Sequence, residues 1–197
     1  MPRTIRHVLI LNGHPDPAGK GLCGALAEAY ADGARAAGRE VQRIDVAGLD
    51  FPLLHSMAEF EHGTPPPAIA AAQEQMRRAD HLVVIFPLWM GDMPARLKAF
   101  FEQTMRPGFA FDYRARGFPI KRLKGRSARV IVTLGMPVIA YHLFYGAHGL
   151  KNLKRVVLRG VGFGPVRATL IGSVGTRSRA SIEHALQGVR AFGRRGV

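Results

Sequence analysis

His81-Leu82-Val83-Val84-Ile85-Phe86 runs straight into Pro87-Leu88-Trp89-Met90-Gly91-Asp92-Met93-Pro94. The first six residues are apolar without alternation and of strand length. Such a run reads as a strand buried on both faces, the signature of a parallel sheet covered by helices. Pro87 ends it, because proline has no N–H for the ladder. Asp92 is then placed to cap a helix that opens with Met93-Pro94 and reaches about Thr104. Leu97, Phe100, Phe101 and Thr104 share one face of that helix.

The same alternation extends outward in both directions. His7 to Leu11 is a second buried run, stopped by Asn12-Gly13, and Leu22, Ala25, Leu26, Ala29, Tyr30 and Gly33 recur at helical spacing over about 22–37. Glu40 to Val46 alternates like a strand nearer an edge. Residues 48–64 read as irregular, Pro65-Pro66-Pro67 punctuates, and Ala68 to Ala79 is helical. Residues 106–125 form a long excursion, Ala128 to Leu134 another buried strand, and 139–160 mostly helix. Val166 to Val174 is the last strand and Ser178 to Phe192 the last helix, with Ser178 or Ser181 as its cap. Five strands interleaved with helices, none joined by a tight hairpin, predict a parallel α/β sheet with helices on both faces. No repeat or boundary divides the chain, so residues 1–197 are expected to form one domain.

Composition narrows the function. The 197 residues are 47% hydrophobic and 21% charged, an ordinary globular balance. A single cysteine, Cys23, excludes an intramolecular disulfide and any zinc site of several thiolates, and fits a reducing, cytoplasmic setting. No apolar run reaches the ~18 residues of a spanning helix. The 28 Lys and Arg outweigh the 14 Asp and Glu, giving a net charge of +14. Most of the excess falls after residue 105. No helix-turn-helix, zinc-finger or RNP-like aromatic pattern accompanies it, so nucleic acid is not the expected partner. A solvated basic face, or attraction of anionic cofactors or an acidic partner, accounts for the charge.

Ligands of open parallel sheets bind beyond the carboxyl ends of the strands. Three loops meet there: 12–23, 87–94, and 135–149 with Gly135-Met136-Pro137 and the aromatic run from Tyr141. The first ends at a helix N-terminus, where free N–H groups and the helix dipole attract an anion. Gly19 and Gly21 permit close approach and Lys20 adds charge. The loop matches neither the Walker pattern nor the dinucleotide Gly-x-Gly-x-x-Gly.

Four stretches together carry a resemblance over nearly the whole chain: the first strand with Gly13-His14-Pro15; Phe86-Pro87-Leu88-Trp89 with Met93-Pro94-Ala95-Arg96-Leu97-Lys98-Ala99-Phe100-Phe101-Glu102; Gly108-Phe109-Ala110-Phe111; and Gly146-Ala147-His148-Gly149. The sequence resembles the flavodoxin-like NAD(P)H:quinone oxidoreductases, a group that includes modulator-of-drug-activity proteins and ancillary oxidoreductases of potassium-efflux systems. The resemblance implies a three-layer sandwich with sheet order 2-1-3-4-5. It implies FMN, with FAD as the alternative, NAD(P)H as co-substrate, a quinone or other planar aromatic acceptor, and ping-pong kinetics in one pocket walled by Trp89, Phe109, Phe111 and Tyr141. The flavin phosphate would be held by His14, Lys20, Gly21, Leu22 and Cys23. The ring would lie against Pro87, Leu88, Trp89 and Met90, and be covered by Thr133, Leu134 and Gly135. His148 matches the family histidine that faces the ring. Its tyrosine partner falls on Tyr141 or, by strict spacing, on His142.

The match is incomplete: relatives present Ser or Thr, an aromatic and Asn where Gly21, Leu22 and Cys23 stand, so hydroxyl contacts to the phosphate are absent. The resemblance also implies a homodimer with the site at the interface, the 106–129 excursion reaching across. The competing reading is an ancillary or regulatory subunit that docks on a membrane transporter or acidic partner and turns over little.

Overall fold

The structure is a computed structural model and describes residues 4–18 and 21–197. Five parallel strands form the sheet: β1 (His7–Asn12), β2 (Glu40–Asp45), β3 (His81–Pro87), β6 (Ser127–Thr133) and β7 (Val166–Ile171). Their order is β2-β1-β3-β6-β7. Counting sheet strands alone, this is the expected 2-1-3-4-5. Two residues each of β4 (Phe111–Asp112) and β5 (Ile120–Lys121) pair antiparallel inside the 106–125 excursion.

Alternation along the strands divides the interior into two cores. Val8, Ile10, Val83, Ile85, Ile131 and Ile171 face α1 (Leu22–Arg35) and α8 (Arg179–Arg195). Leu9, Leu11, Leu82, Val84, Phe86, Val130 and Val132 face the opposite layer. That layer contains α3 (Pro67–Arg78) and α4 (Ala95–Thr104). Every residue from His81 to Phe86 is buried, which is why this run lacks alternation in sequence. The helices α1 and α8 touch backbone to backbone: a Cβ on Gly33 would stand 1.9 Å from the Arg190 carbonyl, and one on Gly193 2.1 Å from the Tyr30 carbonyl.

Two local readings differ, and a third gains detail. The segment 48–64 contains a short helix, α2 (Met57–His62). Ser56 caps it by accepting the Glu59 N–H, while Glu59 Oε2 accepts the His55 N–H at 2.9 Å. This is close to a capping box, legible in Ser56-x-x-Glu59. Helix α4 starts at Ala95, because the Asp92 carboxylate is taken by the Met93 N–H at 2.7 Å. The stretch 139–160 is mostly helical, as expected, but interrupted. It divides into α5 (Val138–Phe144), α6 (His148–Asn152), a π-helical stretch Leu153–Leu158 and α7 (Arg159–Val161). Gly146 and Ala147 both adopt positive φ, 56° and 50°, and break it. Among the described residues no helix is long and apolar enough to cross a membrane.

Candidate functional site

The carboxyl ends of β1, β3 and β6 bring the three loops together. In the first, Gly21 is the N-cap of α1 and offers no side-chain bond; the first turn contains no acid. Only the Ala25 N–H is closed back, to Gly21 O at 3.2 Å. The N–H groups of Leu22, Cys23 and Gly24 have no partner among the described residues, which leaves an anion-seeking helix end. His14 stands beside it. Its Nδ1 accepts the Asp16 N–H at 3.1 Å, so in the neutral ring the proton is on Nε2. Nε2 is 3.9 Å from where a Gly21 Cβ would be. A donor is thereby aimed at the helix end. The Asp16 carboxylate is folded onto the Ala18 N–H at 2.9 Å. Lys20 lies outside the described residues. Cys23 is buried, with Sγ 3.5 Å from the Thr133 hydroxyl, and burial pushes its thiol pKa up. It links α1 to β6 and is no nucleophile.

The second loop is a two-residue turn. Trp89 and Asp92 exchange N–H···O bonds of 2.8 and 2.9 Å, while Met90 and Gly91 both take positive φ (49° and 82°). Four backbone groups were expected to meet a flavin ring here. Pro87 has no N–H, Leu88 donates to Thr133 O at 2.8 Å, and Trp89 is used by the turn. The remaining donors are the N–H groups of Met90 and Gly91, without partners among the described residues. Met90 is fully exposed and Trp89 about half-exposed.

In the third loop, Leu134 is closed off. Its N–H donates to Ile171 O, its carbonyl accepts the Val174 N–H, and its side chain lies in the core. Gly135 is exposed with empty space beside it, so its backbone is what this loop presents.

Tyr141, expected to face the ring, lies in α5. It is fully buried; its hydroxyl donates to Gly91 O at 3.2 Å and accepts the Leu150 N–H at 3.2 Å. Burial, with Asp92 adding, raises its pKa against the Leu150 bond. Its hydroxyl is engaged inside the protein, with one bond donated and one accepted. It ties the Met90 turn to α6. Gly149 completes that tie: a Cβ there would lie 2.6 Å from Gly91 O and 2.7 Å from Asp92 Oδ1. The Gly146-Ala147-His148-Gly149 motif is therefore a clamp on the turn.

His142 and His148 are exposed, and the aromatic beside the turn is Tyr145, whose Cδ1 would stand 3.3 Å from a Gly91 Cβ. Tyr145 follows Tyr141 by four residues, a spacing at which helical neighbours share a face. Phe111 was expected beside Trp89. It lines a separate apolar groove with Phe60, Phe101, Met105 and Val157, and Phe109 is buried.

Parallel strands in this order, with a helix N-terminus and backbone donors at their carboxyl ends, define a doubly wound α/β protein. The chain belongs to the flavodoxin-like fold family, whose family model matches residues 6–192. It is similar to an NAD(P)H:quinone oxidoreductase from Methanothermobacter marburgensis of known structure, with 27% identity and a TM-score of 0.80 over 98% of this chain and all of that one. It is 29% identical over 136 residues to NAD(P)H dehydrogenase (quinone) 1 of Rattus norvegicus, a match of 66% of this chain and 48% of that protein. A further 29% identity links it to the FMN-dependent NADH:quinone oxidoreductase of Ruegeria pomeroyi, over 57% of this chain and 62% of that one. The chain thus spans about half to three-fifths of the curated relatives it matches.

Proposed function

We propose that this chain, working as one domain, is a flavin-dependent NAD(P)H oxidoreductase that holds FMN and reduces a quinone-like aromatic acceptor. The observation that carries the reading is the α1 end: three N–H groups unpaired among the described residues, a histidine donor and no acid in the first turn. That set fits a flavin phosphate. The bare backbones of Met90, Gly91 and Gly135 fit the edge of a flat, acceptor-rich ring. The curated relatives and the structural neighbour named above are quinone oxidoreductases, one of them FMN-dependent, which supports the same assignment.

A bound flavin supplies two-electron chemistry, taking hydride from NAD(P)H and passing two electrons, with protons, to the acceptor. The chain's part is to hold and shield. His14 Nε2 and the α1 N–H groups bind the phosphate. The N–H groups at 90–91 favour electron-rich ring atoms. The exposed His142, Tyr145 and His148 border the turn, where an imidazole or phenol can donate a proton to a reduced acceptor oxygen. Tyr141 keeps the turn in place.

We infer a homodimer as the working form. Leu143 and Phe144 are 72% and 84% exposed, and Ile139, Tyr145 and Met90 are also exposed. An apolar surface of this kind beside a shallow site suits burial by a second copy. A cytoplasmic setting belongs to the same reading and rests on the single, reduced, buried thiol.

The decisive experiment is an absorption spectrum of the purified protein titrated with FMN and FAD, then with NADPH and NADH without oxygen. Stoichiometric FMN binding and bleaching by a nicotinamide support the assignment. Failure to bind either flavin overturns it.

A further inference from the structure

A cavity of about 510 Å³ lies at the opposite end of the sheet. Its walls come from the residues that lead into the strands: Ile5 before β1, Asp80 before β3, Ser127 at the start of β6 and Pro165 before β7. Arg39, Arg167 and Arg195 line it as well. The buried guanidinium of Arg129 stands behind them, bonded to Val197 O and to the Thr169 hydroxyl. Among the described residues Arg39, Arg167 and Arg195 have no side-chain carboxylate within ion-pair distance, while Arg129 is held by the Val197 carboxylate, which also lines the cavity. Elsewhere on the chain Arg35, Arg43, Arg77, Arg78, Arg122 and Arg190 all have a side-chain carboxylate at that distance.

Asp80 brings a carboxylate to the same wall. Its Oδ2 is occupied by the N–H groups of Arg6 and His7 at 3.0 Å each. Arg39 spends Nη1 on carbonyls near the end of α8, Gly193 O and Arg194 O, while its buried Nε has no partner among the described residues. Arg167 is exposed, and the Ser127 hydroxyl, 2.7 Å from His81 Nδ1, adds a neutral polar group to the wall. The positive field is felt nearby: burial first, then Arg129, Arg167 and Arg39, push the His81 imidazole down to about 3.

We propose that this cavity binds a phosphate ester of nucleotide size, its phosphoryl oxygens held by the Arg39, Arg167 and Arg195 guanidiniums. Planar guanidinium forks match phosphate oxygens two at a time. The volume is in the range of small-molecule sites, and Ile5 and Pro165 offer an apolar wall for the organic part. The site is distinct from the flavin end and does not depend on the proposed activity.

Calorimetry with ADP and with inorganic pyrophosphate tests it on the wild type, Arg167→Ala/Arg195→Ala and His14→Ala. Both arginines are exposed, so the double variant should keep its melting temperature; Arg167→Gln alone is the milder control. Saturable binding is expected in the wild type and in His14→Ala, with at least a tenfold weakening in the double variant. FMN binding by the double variant should be unchanged. No saturable binding by the wild type overturns the proposal. So does binding that survives in the double variant but is lost in His14→Ala, because the anion then sits at the α1 end. Binding of heparin or RNA alone, without ADP or pyrophosphate, also overturns it in favour of a polyanion surface. Absence of flavin binding leaves all these outcomes readable.

Discussion

The two ends of the sheet are both electropositive, by different means. At the carboxyl end the donors are backbone N–H groups, at Leu22 to Gly24, Met90, Gly91 and Gly135, with one imidazole. At the amino end they are guanidiniums on side chains from the residue before β2, from β7 and from α8. Backbone donors carry no net charge and are aimed by the fold, so they are little screened by salt and survive alanine substitution at their own positions. Guanidiniums can be removed one at a time and weaken with ionic strength. What damages the first end is therefore a change in backbone placement, and what damages the second is a change in side chains.

The largest effect should follow from Gly149→Ala. The added methyl meets Gly91 O and Asp92 Cα at 2.6 and 2.8 Å, both backbone. Nothing there can rotate away, so the turn or α6 must move. A loss of about 3 kcal/mol in denaturant unfolding is expected, with FMN affinity lowered and ADP binding at the other end retained. Tyr141→Phe should come next. It leaves Gly91 O and the buried Leu150 N–H without their partner, a cost of about 2 kcal/mol. Since Tyr141 acts through the turn, its loss should raise the dissociation constant for FMN without shifting the pH dependence of turnover. A changed pH profile with intact FMN affinity would instead return Tyr141 to the reacting groups.

These two residues also show how far the sequence can be read. His81 to Phe86 announces itself because a strand buried on both faces has a one-dimensional signature, and the α1 register follows from apolar spacing alone. The family motif drew attention to Tyr141 and His148 as ring-facing residues. Whether Tyr141 faces a ligand depends on who takes its hydroxyl, and both partners, Gly91 and Leu150, are set by the tertiary fold. The break at 146–147 had a visible cue in Gly146, yet Ala147 with positive φ did not. The strands β4 and β5 are too short to leave a period. The arginine cavity was unreadable because Arg39, Arg167 and Arg195 come from distant parts of the chain; only their excess in the composition was visible.

The amino end makes its own prediction through pH. His81 is buried with its pKa pushed down to about 3, below the ordinary 6.5 of an accessible histidine. The unfolded chain thus takes up a proton that the folded chain refuses. The stabilising contribution is complete above pH 6.5 and is lost as pH falls from 6.5 toward 3, at up to about 1.4 kcal/mol per pH unit. Urea midpoints measured from pH 7 to 4.5 should fall. In His81→Asn the fall should be shallower, because the remaining slope belongs to carboxylates. An equal slope in both proteins would mean that His81 is protonated in the folded state as well.

The smallest effect, and the most diagnostic for the carboxyl end, is expected from His14→Ala. The side chain provides one donor beside three backbone N–H groups, and the Asp16 N–H that orients it loses a bond in an exposed loop. One charge-assisted hydrogen bond is worth about 1.5 kcal/mol, so FMN affinity should fall roughly tenfold while folding stability hardly changes. Riboflavin, which has the ring but no phosphate, separates the two contributions. Its affinity should be the same in wild type and variant if His14 addresses the phosphate alone. If riboflavin weakens as much as FMN, His14 supports the ring or the loop as a whole. The backbone donors of α1 would then be the phosphate site by themselves, and the contrast between a backbone-built end and a side-chain-built end would be complete.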